Sequence, residues 1–160
     1  MAEDNKNIVS IRIADSARQG LQKIATRLLV REAVLYRLAI QSLLSKMQAF
    51  QEPDIEGIDL LPFFLEMREE LLAEIKLKKE QLYTIFNHNV ASSDKYISMS
   101  DIELLLLPPP ALRRRLHEIQ RPPDKNIDTN TWLKLYLTKK YSLADKLEEK
   151  TTLKENTRHS

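Results

Sequence analysis

A chain of 160 residues with 42% hydrophobic composition is long enough to bury a core of ordinary size, and with no cysteine it excludes both a disulfide scaffold and a thiolate metal site. Only two glycines, Gly20 and Gly57, stand against long runs of Leu, Ala, Glu, Lys and Arg, which indicates a nearly all-helical chain and leaves no material for a Gly-rich phosphate loop or a nucleophile elbow. The net charge of +2 conceals a segregation: residues 1–50 hold eight Lys/Arg against four Asp/Glu, residues 51–110 five against twelve, and residues 111–160 twelve against seven. No apolar run reaches about 18 residues and "MAEDNKN" is too acidic and polar for a secretory signal, so a soluble protein of a reducing cytoplasm is expected.

In chain order, the first element is "IVSIRI" at 8–13. Val9, Ile11 and Ile13 alternate with Ser10 and Arg12, the period of a half-buried β-strand, and no other segment has that pattern. A lone strand leaves its backbone groups unpaired, so two copies of the chain are expected to pair these segments. Asp15 or Ser16 is placed to cap a helix over 16–28, with Ala17, Leu21, Ile24, Ala25 and Leu28 on one face. A second helix over 31–49 carries Val34, Leu35, Leu38, Ala39, Ser42, Leu43 and Met47, widened by Tyr36, Ile40 and Leu44, and so is expected to be buried on more than one side. These first elements fall below the size at which chains usually fold unaided, so either the rest of the chain or a second copy must cover them.

Pro53 and Gly57 mark 51–59 as a linker. A helix of about 25 residues is expected from Pro62 to Phe86, followed by a loop at 91–96. Ser100 and Glu103 have the spacing of a capping box ahead of a short helix that "PPP" at 108–110 stops. "ALRRRLHEIQR" forms another helix. A last one, capped by Asp128 or Thr129, begins near Trp132 and continues through Leu147, either unbroken or with a break around Tyr141–Ser142, and residues 151–160 read as a disordered tail. The domain plan is therefore 6–50, a linker at 51–59, an α-helical extension over 60–150, and the tail.

The stretch "IVSIRIADSARQGLQKIATRLLVREAVLYRLAIQSLL" resembles the ribbon-helix-helix family of DNA-binding proteins, the class of the Arc and MetJ repressors and of plasmid copy-control proteins, over about residues 8–46. "LQKIA" looks like the family's first helix and "AVLYRLAIQSLL" like its second. The resemblance implies a mainly α protein whose N-terminal module, one β-strand and two helices, forms an intertwined homodimer, followed by an all-α C-terminal extension. It implies that an antiparallel β-ribbon enters the major groove of double-stranded DNA. Carried over by position, Ile8, Ser10 and Arg12 would contact bases, while Val9, Ile11, Ile13, Leu21, Ile24, Leu28, Leu35, Leu38 and Ala39 form the dimer core. The family usually places a glycine in the helix–helix turn and a Ser or Thr cap on the second helix. This chain has Leu29 and Arg31 there, so Lys6, Arg27 and Arg31 are expected to supply charge to phosphates instead.

The function this implies is transcriptional regulation through an inverted-repeat operator, with tandem dimers on DNA, in a bacterial cytoplasm. The setting would be a plasmid or another mobile element, where such proteins govern conjugation, maintenance or replication. An antitoxin with a toxin-binding extension, a relaxosome or partition accessory protein, and a helical adaptor that does not touch DNA are the alternatives, and residues 51–150 are the place for a protein partner. No cofactor, membrane contact or catalysis is expected. His88, His117 and His159 lie apart without metal-ligand spacing. "RRR" at 113–115 with Arg121 reads as a second nucleic-acid contact, a patch for an acidic partner, or an ordinary solvated face.

Overall fold

A computed structural model describes residues 5–143, which divide into two compact units with the boundary between Met47 and Gln48. The first holds α1 (Asp15–Leu28) and α2 (Glu32–Lys46). The second holds α3 (Leu61–Glu74), α4 (Lys79–Asn87), α5 (Met99–Leu106), α6 (Pro109–Ile119) and α7 (Thr129–Lys140). The described residues contain no strand. Residues 8–13 have no regular secondary structure and make no backbone hydrogen bond, and Ile8, Val9 and Ile11 are 72–97% exposed. The fold class is therefore all-α, and the ribbon-helix-helix architecture with its N-terminal strand is corrected. Alternation puts side chains on two faces, but a ladder also needs a second strand, and this chain has no other segment with that period.

The second unit owes its core to helices shorter than the periodicity predicts. The single helix expected over 62–86 breaks at Ile75, whose backbone is extended, and restarts after Lys78, whose N–H donates to Gln81 Oε1 at 2.9 Å. The break lets α4 turn Leu82 and Phe86 into the core, where Phe86 meets Phe64 of α3 edge-on with ring centroids 5.3 Å apart. Gly57 shows why 51–59 is built into this unit rather than spanning two. Its N–H donates to the His88 carbonyl at 2.8 Å, and a Cβ there would lie 2.1 Å from the Ile85 carbonyl oxygen. Ile58 and Leu60 follow it into the core. The cap of α5 is Ser98, whose hydroxyl accepts from the Asp101 N–H at 3.3 Å, two residues before the Ser100 expected. Asp128 caps α7 as expected, accepting from the Thr131 N–H at 3.0 Å, but the helix starts at Thr129 rather than near Trp132. The helix ends at Lys140, and the helical run breaks at Tyr141 and Ser142, with Ser142 at φ 52°; the stretch from 144 to Leu147 and the tail lie outside the described residues.

Two buried charged groups fasten α5 at both ends. Arg68 of α3 donates from Nε to the Leu105 carbonyl (2.7 Å), from Nη2 to the Leu107 carbonyl (2.5 Å) and from Nη1 to Asn130 Oδ1 (3.1 Å), meeting carbonyls that the end of α5 leaves unpaired. Asp101, in the first turn of α5, accepts from Tyr136 (2.9 Å), Lys140 (2.7 Å) and Tyr141 (2.5 Å). Helices α3, α5 and α7 are thus tied through groups whose desolvation is compensated by hydrogen bonds.

Candidate nucleic-acid interface

The first unit is built on one tight connection. Leu29 ends α1 in the left-handed region (φ 57°, ψ 39°), and the Leu29 and Val30 N–H groups donate back to the Thr26 and Ala25 carbonyls at 3.3 and 3.0 Å. That is where glycine is the ordinary choice, because a Cβ there meets the backbone. Arg31, with extended backbone, then starts α2. Across this joint Arg18 faces Glu32 at 4.0 Å, and the Tyr36 hydroxyl lies 3.5 Å from the same carboxylate.

Two helices cannot enclose the apolar surface they carry. Among the described residues of this unit only Ala25 and Leu35 are buried, and Leu21 is half-buried. Ile24, Leu28, Val34, Leu38, Ile40, Leu43 and Leu44 are 43–61% exposed, and Ile13 is 38% exposed. Of the residues expected in a dimer core, Leu35 alone is covered within one chain, while Val9, Ile11, Leu38 and Ala39 are open. The expected burial of the second helix on several sides is accordingly absent from the single chain.

The expected DNA contacts are all exposed and fall into two places. Lys6, Ile8, Ser10 and Arg12 lie on the irregular arm ahead of α1. Arg27, in the last turn of α1, and Arg31, at the start of α2, flank the Leu29–Val30 turn. None of Lys6, Arg12, Lys23, Arg27 or Arg31 has an ion-pair partner among the described residues, so the positive charge of this unit is largely uncompensated. No protein-family model, curated protein or solved structure matches this chain.

Sequence inspection missed the outward face of α1. Gln19, Gln22, Lys23, Thr26 and Arg27 line an open groove of about 440 Å³ there. The signal was present, since 16–28 contains Arg18, Lys23 and Arg27 and no acidic residue.

In the second unit the arginine run does not form a patch. Arg113 turns inward, donating to the Ile127 carbonyl at 2.8 Å and lying over the Trp132 ring, while Arg115 pairs with Glu118 at 2.7 Å, leaving Arg114 exposed. Trp132, Leu133 and Leu137 are core, as are Leu104 and Leu105. His117 stands edge-on to Trp132 with centroids 4.8 Å apart, and no group of three or more His, Asp or Glu among the described residues is arranged to hold a metal ion.

The Asp101 cluster joins one buried carboxylate to an ammonium and two phenols. Burial pushes its carboxyl up, but the hydrogen bonds from Lys140, Tyr141 and Tyr136 outweigh that and hold it below the usual carboxylate range. Burial opposes the Lys140 charge, yet its bonds to Asp101 and Tyr136 leave the ammonium raised above its ordinary value. Burial, then the neighbouring carboxylate, raises the Tyr141 phenol. Every oxygen of Asp101 is engaged and its side chain is 3% exposed, so the group fastens helices and has no face left for a ligand.

Proposed function

We propose that the protein is a homodimeric, sequence-specific DNA-binding regulator of transcription, whose first unit both self-associates and binds double-stranded DNA. The carrying observation is that this unit exposes most of its large apolar side chains beside five cations, Lys6, Arg12, Lys23, Arg27 and Arg31, that no acidic group among the described residues pairs with. Ile24, Leu28, Val34, Leu38, Ile40, Leu43 and Leu44 leave the two helices with the kind of exposed apolar surface that marks an interaction site. A second copy is the occupant that this exposed surface suits, because the two-helix unit buries only Ala25 and Leu35 among its described residues.

A two-fold dimer implies an inverted-repeat operator. Arg12, whose guanidinium can bond guanine O6 and N7 together, reads base edges with Ser10 and Ile8 from the arm, while Lys6, Arg27 and Arg31 meet phosphates. The closed core of the second unit, with its buried charges fully bonded, argues against an extension that folds only around a toxin.

Selection of duplexes from a randomised pool by the purified full chain tests the reading. Arg12→Ala is expected to weaken the enriched duplex by about 1–3 kcal/mol and relax its preference, and Arg31→Ala to weaken all duplexes and flatten the salt dependence. Leu38 is 61% exposed within the chain, and Leu38→Asp is expected to yield a monomer in sedimentation. A wild-type chain that enriches no sequence overturns the proposal.

A further inference from the structure

Base contacts from the arm alone leave unused a second polar surface of the first unit, the outer face of α1. At 3.6 residues per turn, Gln19, Gln22, Lys23, Thr26 and Arg27 share one side of the helix, opposite Leu21, Ala25 and Leu28. Ala25 is buried and Leu21 half-buried on that opposite side, so the direction in which the five polar residues face is settled by packing.

An ordinary solvated helix mixes charges of both signs. This one does not. Its only acidic residue is Asp15, at the first position. Lys23 and Arg27 are four apart, an arrangement that costs a few tenths of a kcal/mol in an isolated helix unless an anion lies alongside. Neither has an ion-pair partner among the described residues, and no hydrogen bond engages the side-chain amides of Gln19 and Gln22. The Thr26 hydroxyl is used within the helix, donating to the Gln22 carbonyl at 2.9 Å, which leaves its methyl group as the free end.

We infer that this face of α1 lies in the major groove of DNA, with Gln19 and Gln22 reading adenine, Lys23 and Arg27 meeting guanine or phosphate, and the Thr26 methyl touching thymine. The inference rests on the DNA-binding reading and adds to it the element that enters the groove. A helix of 14 residues is about 21 Å long and its width suits the major groove, and the pairing chemistry is that of amide with adenine N6 and N7 and of cation with guanine O6 and N7. The division of labour is consistent with α2, which exposes Val34, Leu38, Ile40, Leu43 and Leu44 alongside its polar residues and so offers apolar surface to a second copy of the chain.

The test uses the full chain and a pool of randomised duplexes. Gln19→Ala combined with Gln22→Ala should leave the helix intact, since both positions are exposed and alanine is the best helix former. The double variant is expected to bind the duplex enriched by the wild type about ten-fold more weakly, while its binding to random duplex changes less than about two-fold. Because the chain has no cysteine, Gln22→Cys carries the only thiol, and a photo-crosslinker attached there is expected to mark bases within the enriched duplex, whereas one on Ser92→Cys in the second unit is not. If the wild type enriches a sequence and the double variant keeps both affinity and preference, the assignment of α1 falls and the DNA-binding reading stands. If the wild type enriches nothing, both fall.

Discussion

Replacing Asp101 by alanine removes the acceptor shared by Tyr136, Lys140 and Tyr141 and so unfastens the N-terminal end of α5 from α7. Hydrogen bonds to a charged group contribute roughly 1.5–3 kcal/mol each, and truncating one partner of a buried pair costs about 3–5 kcal/mol. Lys140 is 44% exposed and recovers water when its partner is gone, which puts the expected loss at about 3 kcal/mol, toward the lower end of that range. Trp132 is the single tryptophan and is fully buried in the second unit, so its fluorescence in urea follows that unit within the full chain. With a slope of about 1.5 kcal/mol/M, the midpoint should fall by about 2 M. The pH dependence has a definite sign. The folded carboxyl lies below its ordinary value of 3.8, so its contribution is present above about pH 4 and is lost as pH falls through the folded pKa. At the other end, Lys140 and Tyr141 are raised in the folded state. Their contribution is complete below about pH 10 and declines as pH rises beyond it. A loss under about 1 kcal/mol, or an acid limb unchanged in Asp101→Asn, would refute the role given to this cluster.

Arg68→Met keeps the apolar stem but leaves the Leu105 and Leu107 carbonyls without their donors, and should lower the same fluorescence midpoint by an amount equivalent to about 2–4 kcal/mol, with Arg68→Lys rescuing little because one ammonium cannot fork to both. Gly57→Ala places a methyl 2.1 Å from the Ile85 carbonyl oxygen, and a loss of at least about 2 kcal/mol is expected in the same melt. Leu29→Gly acts in the opposite direction. Leu29 is 92% exposed and held at positive φ, so glycine relieves strain without removing burial, and amide exchange in α1 and α2 should slow by the equivalent of about 0.5–1 kcal/mol.

Residues 8–13 show where periodicity stops being informative. The alternation of Val9, Ile11 and Ile13 is real, but pairing is a relation between two segments, and a pattern within one segment does not supply the other. The break between α3 and α4 was hidden for a related reason. "IKLKK" contains neither glycine nor proline, and Leu61 through Phe86 keep an almost continuous helical period, so only the packing of Phe86 on Phe64 and the positioning of Gly57 against Ile85 require the turn. Asp101, Tyr136, Lys140 and Tyr141 are separated by up to 40 residues, and nothing local marks them as partners.

Composition and spacing alone determined that the chain is helical, that its first part is basic and too small to cover itself, and that Leu29 and Arg31 stand at a helix joint, because these follow from side-chain type and from short-range geometry. Tertiary structure alone decided that the arm has no ladder, that the arginine run dissolves into separate contacts, and that α1 turns its glutamines and cations outward. Each of those depends on what lies opposite a residue, and long-range packing selects that neighbour.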